Sequence, residues 1–107
     1  MTSELFTTVD SKEIAVGSAD MWPYDFSPAI NEGDTIATAS ATLERTNAAT
    51  SGLIIGFVTS AVVDGLNVNV TWSAAVLIAG AQYMLRIQAN LTGGTVKVVL
   101  YTAIEAV

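Results

Sequence analysis

Leu66-Asn67-Val68-Asn69-Val70-Thr71-Trp72 alternates apolar and polar residues through seven positions. Successive side chains of a β-strand point to opposite faces. The run therefore reads as a half-buried strand, with Leu66, Val68, Val70 and Trp72 covered and Asn67, Asn69 and Thr71 wet. Residues 82–91 repeat the pattern, Tyr83, Leu85, Ile87, Ala89 and Leu91 alternating with Gln82, Met84, Arg86, Gln88 and Asn90. Thr92-Gly93-Gly94-Thr95 follows. A Gly-Gly pair between two strands predicts a tight hairpin in which the glycines take positive φ. The return strand, residues 96–104, carries Val96, Val98 and Leu100 on one face and Val99, Tyr101 and Ala103 on the other. A strand apolar on both faces is central or lies beneath a partner.

Working upstream, Asp64-Gly65 predicts a second hairpin turn, residues 53–63 one strand or two short ones, and residues 46–52 a loop. Residues 35–44 form a strand with Ala37, Ala39, Ala41 and Leu43 on one side, entered through the turn Asn31-Glu32-Gly33-Asp34. Residues 21–30 hold both prolines and read as an irregular edge strand, where a missing N–H does least harm. Residues 1–20 read as an N-terminal arm, with a short strand at 13–16, and residues 21–107 as the single domain. Six to eight short strands with regularly spaced turns predict an all-β, immunoglobulin-like antiparallel β-sandwich. Ala79-Gly80-Ala81-Gln82-Tyr83-Met84-Leu85 has the arrangement of a tyrosine corner, in which a Tyr hydroxyl bonds backbone a few residues upstream and an inward residue, here Leu85, follows two positions later. An ordinary buried Tyr is the other reading.

Composition agrees with strands. The 107 residues include 16 Ala, 12 Val, 8 Ile and 13 Thr, and stiff β-branched side chains fit a pleated surface. Charged residues are only 13% against 51% hydrophobic, so apolar burial can offset chain entropy. Mean hydropathy is +0.52, yet the most apolar stretches, residues 52–63 and 74–81, fall short of the roughly 18–20 residues that span a bilayer as a helix. The opening Met1-Thr2-Ser3-Glu4 has no basic segment followed by an apolar one, so no secretory signal is expected.

Absent residue types remove whole chemistries. With no His and no Cys, imidazole acid/base catalysis, thiol nucleophiles, the usual zinc sites and disulfides are excluded. The formal charge of −6 argues against nucleic-acid binding, which needs clustered Lys and Arg. Residues 1–34 hold seven acids against Lys12 alone, a net of −6, whereas residues 35–107 balance to zero. This acidic third is either a solvated surface or a segment that docks on a basic partner. Carboxylates are the remaining catalytic candidates, as Asp20 with Asp25 and Glu32 with Asp34. The second pair shares one turn, where Asp and Gly are explained by turn geometry, so no enzyme is expected. Asn31, Glu32 and Asp34 are too few for a calcium site of six to eight oxygens. No cofactor is implied.

Met21-Trp22-Pro23-Tyr24-Asp25-Phe26 packs three of the eight aromatics and a Met into six residues beside an edge. Met21, Trp22, Tyr24 and Phe26 are the candidate partner-binding residues, because aromatics and Met anchor interfaces. Their spacing equally allows Trp22, Tyr24 and Phe26 to point together into a core. A mixed arrangement is expected, Trp22 toward a partner and Phe26 inward.

Asp25-Phe26, Glu32-Gly33-Asp34-Thr35-Ile36-Ala37, Val70-Thr71-Trp72-Ser73, Ala79-Gly80 with Tyr83, and Leu91-Thr92-Gly93-Gly94 occur in an order that resembles small immunoglobulin-like structural proteins of tailed bacteriophages, of the fibre-tail adaptor or neck type. The resemblance covers residues 22–107. It departs at Ala74-Ala75, where those proteins usually carry Gly-Gly, and in the last hairpin, which has Lys97 in place of a basic pair. It implies a non-enzymatic virion component made in the bacterial cytoplasm, present in several symmetric copies and joining fibres or neighbouring neck, tail or capsid proteins, with no membrane or nucleic-acid partner. A capsid cement (decoration) protein is the alternative. A carbohydrate-binding module is a third reading; it would need Trp72 exposed, and the alternation turns Trp72 inward.

Overall fold

A computed structural model of the chain describes residues 3–4, 9–30, 33–46, 52–93 and 96–107. Nine strands appear among them: β1 (Ser3–Glu4), β2 (Val9–Ile14), β3 (Ala19–Asp25), β4 (Ile36–Arg45), β5 (Leu53–Ile54), β6 (Val58–Asp64), β7 (Asn67–Ser73), β8 (Gln82–Leu91) and β9 (Val96–Ala106). They form two facing sheets, an all-β sandwich. The larger sheet runs β1-β9-β8-β4-β5, with β2 also on β9, and the smaller runs β3-β7-β6.

The alternating runs set the interior. Val68, Val70 and Trp72 of β7 are at most 4% exposed, as are Tyr83, Leu85, Ile87, Ala89 and Leu91 of β8. Val98, Leu100, Thr102, Ile104 and Ala106 of β9 complete the larger sheet's inner face. β9 is central, between β8 on one side and β1 and β2 on the other. Val99 points the other way from the core residues and is also fully buried.

Residues 53–63 resolve into two strands. Leu53–Ile54 pairs with β4, then Gly56 takes φ +95°, and β6 begins in the other sheet at Val58. The turn at Asp64-Gly65 is as expected: Asp64 pairs with Asn67 across a two-residue loop, and Gly65 takes φ +62°. Residues 1–20 were expected to stand apart as an arm with a strand at 13–16. Residues 9–14 instead run parallel along β9, from Val9 opposite Tyr101 to Ile14 opposite Ala106, and Ile14 is 3% exposed in the core. The open edge of a strongly apolar strand is a strong template for pairing, which the polar composition of this segment concealed.

The β8–β9 connection joins strands paired from Gln82 opposite Glu105 to Asn90 opposite Lys97, but Gly93 does not take positive φ. Gly94 lies outside the described residues, as do Asn31 and Glu32. Of the two hairpin glycines described, Gly65 and Gly93, the conformational demand for glycine falls on Gly65. Gly65→Val should destabilise the domain by about 1–3 kcal/mol through left-handed backbone strain. Gly93→Ala, with open space around the added carbon, should cost less than about 0.5 kcal/mol. Denaturant unfolding of the two variants checks the contrast.

Candidate functional site

β3 carries the aromatic cluster along the edge of the smaller sheet, paired on one side only with β7. Alternation sends Trp22 and Tyr24 toward the larger sheet and leaves Met21 outward, 43% exposed. The strand ends at Asp25, whose Oδ1 accepts from Ser27 N at 2.9 Å, and a short 3-10 turn follows. Phe26, at 1% exposure, is turned into the core. It is core and not surface.

Trp22 is not the outward anchor expected for it. Its ring lies 4.8 Å from Trp72, tilted by 52°, and Trp72 stacks on Phe57 at 5.4 Å. Register explains this: Trp22 pairs with Val70, so it points with the inward face of β7. Trp22 nevertheless remains half-buried, and Lys12 Nζ sits 5.7 Å from its centroid. Trp72 is 4% exposed and offers no platform for a sugar. Tyr24 is half-buried, its hydroxyl 2.8 Å from Thr102 Oγ1. Burial raises its pKa; the Thr102 hydrogen bond opposes the shift and the Asp10 carboxylate adds to it.

β2 and β3 thus face each other across one open side of the sandwich. The cleft between them is about 370 Å³ and is lined by Asp10, Lys12, Trp22, Tyr24, Tyr101 and Thr102, among others. Residues 9–14 were expected outside the domain, so sequence reasoning missed that Asp10 and Lys12 share a site with the aromatic cluster. Lys12 Nζ also lies 3.8 Å from Asp10 Oδ2.

The carboxylates proposed as a pair are not brought together. Asp20 and Asp25 lie five residues apart on one strand, about 17 Å and on opposite faces. Asp20 Oδ1 is occupied by Met21 N, and Asp34 Oδ1 by Thr35 N. No cluster of three metal-ligating side chains occurs among the described residues.

Two further features emerge. Tyr83 Oη accepts a hydrogen bond from Ile78 N at 3.0 Å, and Leu85 is fully buried, the geometry expected of a tyrosine corner. A second surface gathers at that end of the sandwich. Of the eight large apolar side chains exposed among the described residues, five (Val16, Ile55, Val76, Ile78 and Val107) lie on the loops, 3-10 turn and chain end there; Met21, Leu53 and Val62 lie on strands, Leu53 opposite Glu44. Local contacts join the segments that carry them: Val16 N donates to Val107 O, Gly80 N to Ala106 O, and Gly56 abuts Val76. The sequence hides this patch because its members come from separate loops and a chain end. No protein-family model and no curated protein matches this chain.

Two outcomes follow from the cluster. Phe26→Ala should cost about 3–5 kcal/mol by emptying a core position, whereas Met21→Ala should change stability by less than about 0.5 kcal/mol; thermal unfolding separates them. Tyr24, raised above its ordinary 10.0, ionises later folded than unfolded. Its contribution to stability is complete below that pH and is lost as pH rises through the folded value. Melting temperature should therefore fall, as pH rises past the ordinary value of 10.0, more steeply for the native chain than for Tyr24→Phe.

Proposed function

We propose that this chain is a non-catalytic, immunoglobulin-like domain of a tailed-phage particle, an adaptor at the neck or tail that joins fibres or neighbouring virion proteins. The strand neighbours support the immunoglobulin-like reading: β9-β8-β4 in one sheet and β3-β7-β6 in the other match the G-F-C and B-E-D sets of that sandwich. The tyrosine corner adds to it. The phage assignment itself rests on the resemblance over residues 22–107.

The observation that carries an adaptor role is the apolar end. Single exposed hydrophobics are ordinary, but a concentration of them on one surface marks a contact site. Ile55 is 89% and Ile78 58% exposed, so neither contributes much to the free domain, yet both offer area to a partner. A small domain at the junction of larger proteins works by such complementarity and needs no reacting group.

Replacing Ile55 and Ile78 together with Ser should leave the melting temperature of the isolated domain nearly unchanged. Recovery of the chain in particles should fall about tenfold or more. Electron microscopy of intact particles then locates the native chain. Density at the neck or tail bears the adaptor out, density over the capsid lattice makes it a decoration protein, and full recovery of the double variant removes this end as the contact.

A further inference from the structure

The acidic first third of the sequence supplies β2 and β3, and the fold makes these the edge strands that border the open side of the sandwich. Two of the seven N-terminal acids, Asp10 and Asp25, thereby come to one cleft. β2 brings Asp10 and Lys12, β3 brings Trp22, Tyr24 and Asp25, and β9 brings Tyr101. The walls are aromatic and the rim carries two carboxylates against one ammonium. We propose that this cleft receives an arginine or lysine side chain presented by an extended segment of a partner protein.

The chain itself displays the chemistry required. Lys12 Nζ sits over Trp22 and beside Asp10, so an aromatic face and a carboxylate already hold one cation here. A cation near an aromatic face gains from the ring quadrupole, and Arg gains further from planar stacking and a forked match to a carboxylate. Asp25 is open to solvent and kept ionised by the hydroxyl and N–H of Ser27, which lower its pKa. Asp10 is engaged by Lys12, whereas Asp25, on the exposed outer rim of the cleft, accepts only from Ser27 among the described residues and meets no cation there; Tyr24 and Tyr101 supply the aromatic surface.

The volume, about 370 Å³, suits one long side chain and not a folded element. A continuous added strand is disfavoured, because the β3 edge carries Pro23, a residue that blunts sheet extension. Anchoring therefore falls to the inserted side chain. One such contact is weak alone, and becomes effective where several copies of the domain engage a repeating partner. This inference adds a partner chemistry to the interaction reading, on a surface separate from the apolar end.

The test is a titration of the isolated, isotope-labelled chain with an eight-residue peptide alternating Thr and Arg, followed by amide chemical shifts. The same peptide with Gln for Arg is the control. Saturable shifts confined to residues 10–12, 22–25 and 100–102, absent with the Gln peptide, are expected. Asp10→Asn with Asp25→Asn should weaken binding about threefold to tenfold. Glu44→Gln with Asp64→Asn removes equal charge from other strands and should leave it unchanged. Unfolding midpoints confirm that both double variants remain folded. No saturable shift, shifts spread over the whole acidic surface, or equal weakening by the two double variants would overturn the proposal. No particle enters this experiment, so its failure leaves the role of the apolar end untouched.

Discussion

The Trp72 indole is the contact on which the sandwich depends. It projects from the middle strand of the smaller sheet, is 4% exposed, stacks on Phe57 and meets Trp22. These three rings tie together β3, the entry to β6 and β7, and so hold the smaller sheet's inner face as one surface. Large aromatics contribute far more buried area than the alanines and valines that dominate this chain. The arrangement has a cost. Trp72 Nε1 is buried with no hydrogen-bond acceptor among the described residues, a penalty of about 1–3 kcal/mol that the aromatic burial must exceed.

From that centre the two sides of the sandwich take different characters. On the β2–β3 side, Trp22 and Tyr24 fill only part of the gap between the sheets, and polar groups occupy the rest: Thr102 on the Tyr24 hydroxyl, Lys12 over Trp22, Asp10 beside Lys12. On the outward face of β8 a different device operates. Arg86 donates to Gln88, Gln88 to Asn90, and Asn90 to Thr38 of β4, a lateral chain of polar side chains. Such a chain keeps a long strand's wet face hydrogen-bonded with Arg86 as its one charged member, which suits a protein with only 13% charged residues.

Buried core and exposed apolar area are separated in space. The residues that hold the fold, such as Leu85, Ile87, Val70 and Phe26, are almost wholly buried, while Ile55 and Ile78 stand on a loop and a corner outside the core. The corner is braced by the Ile78–Tyr83 hydrogen bond, which presents Ile78 on a defined backbone and not on a free loop. Binding groups on loops held by a rigid sandwich can change without disturbing the core, which is how one fold carries many partners.

Strict alternation made β7 and β8 legible from residues alone, because a period of two has only one reading when one face is wet and the other apolar; β9, apolar on both faces, was legible as a strand but not as to which face is inner. Asp64-Gly65 was legible for the same kind of reason, since few residues tolerate positive φ. Phe26 in the core was anticipated. Trp22 was not, because its side is fixed by register against Val70, a partner 48 positions away, and no local pattern encodes that pairing. The placement of residues 9–14 depended on β9 leaving an edge uncovered, a property of the sheet and not of the segment itself. The apolar end and the β2–β3 cleft belong to the same class. Each assembles side chains from distant segments, so periodicity could supply the strands while only their packing could decide which exposed and charged residues would meet.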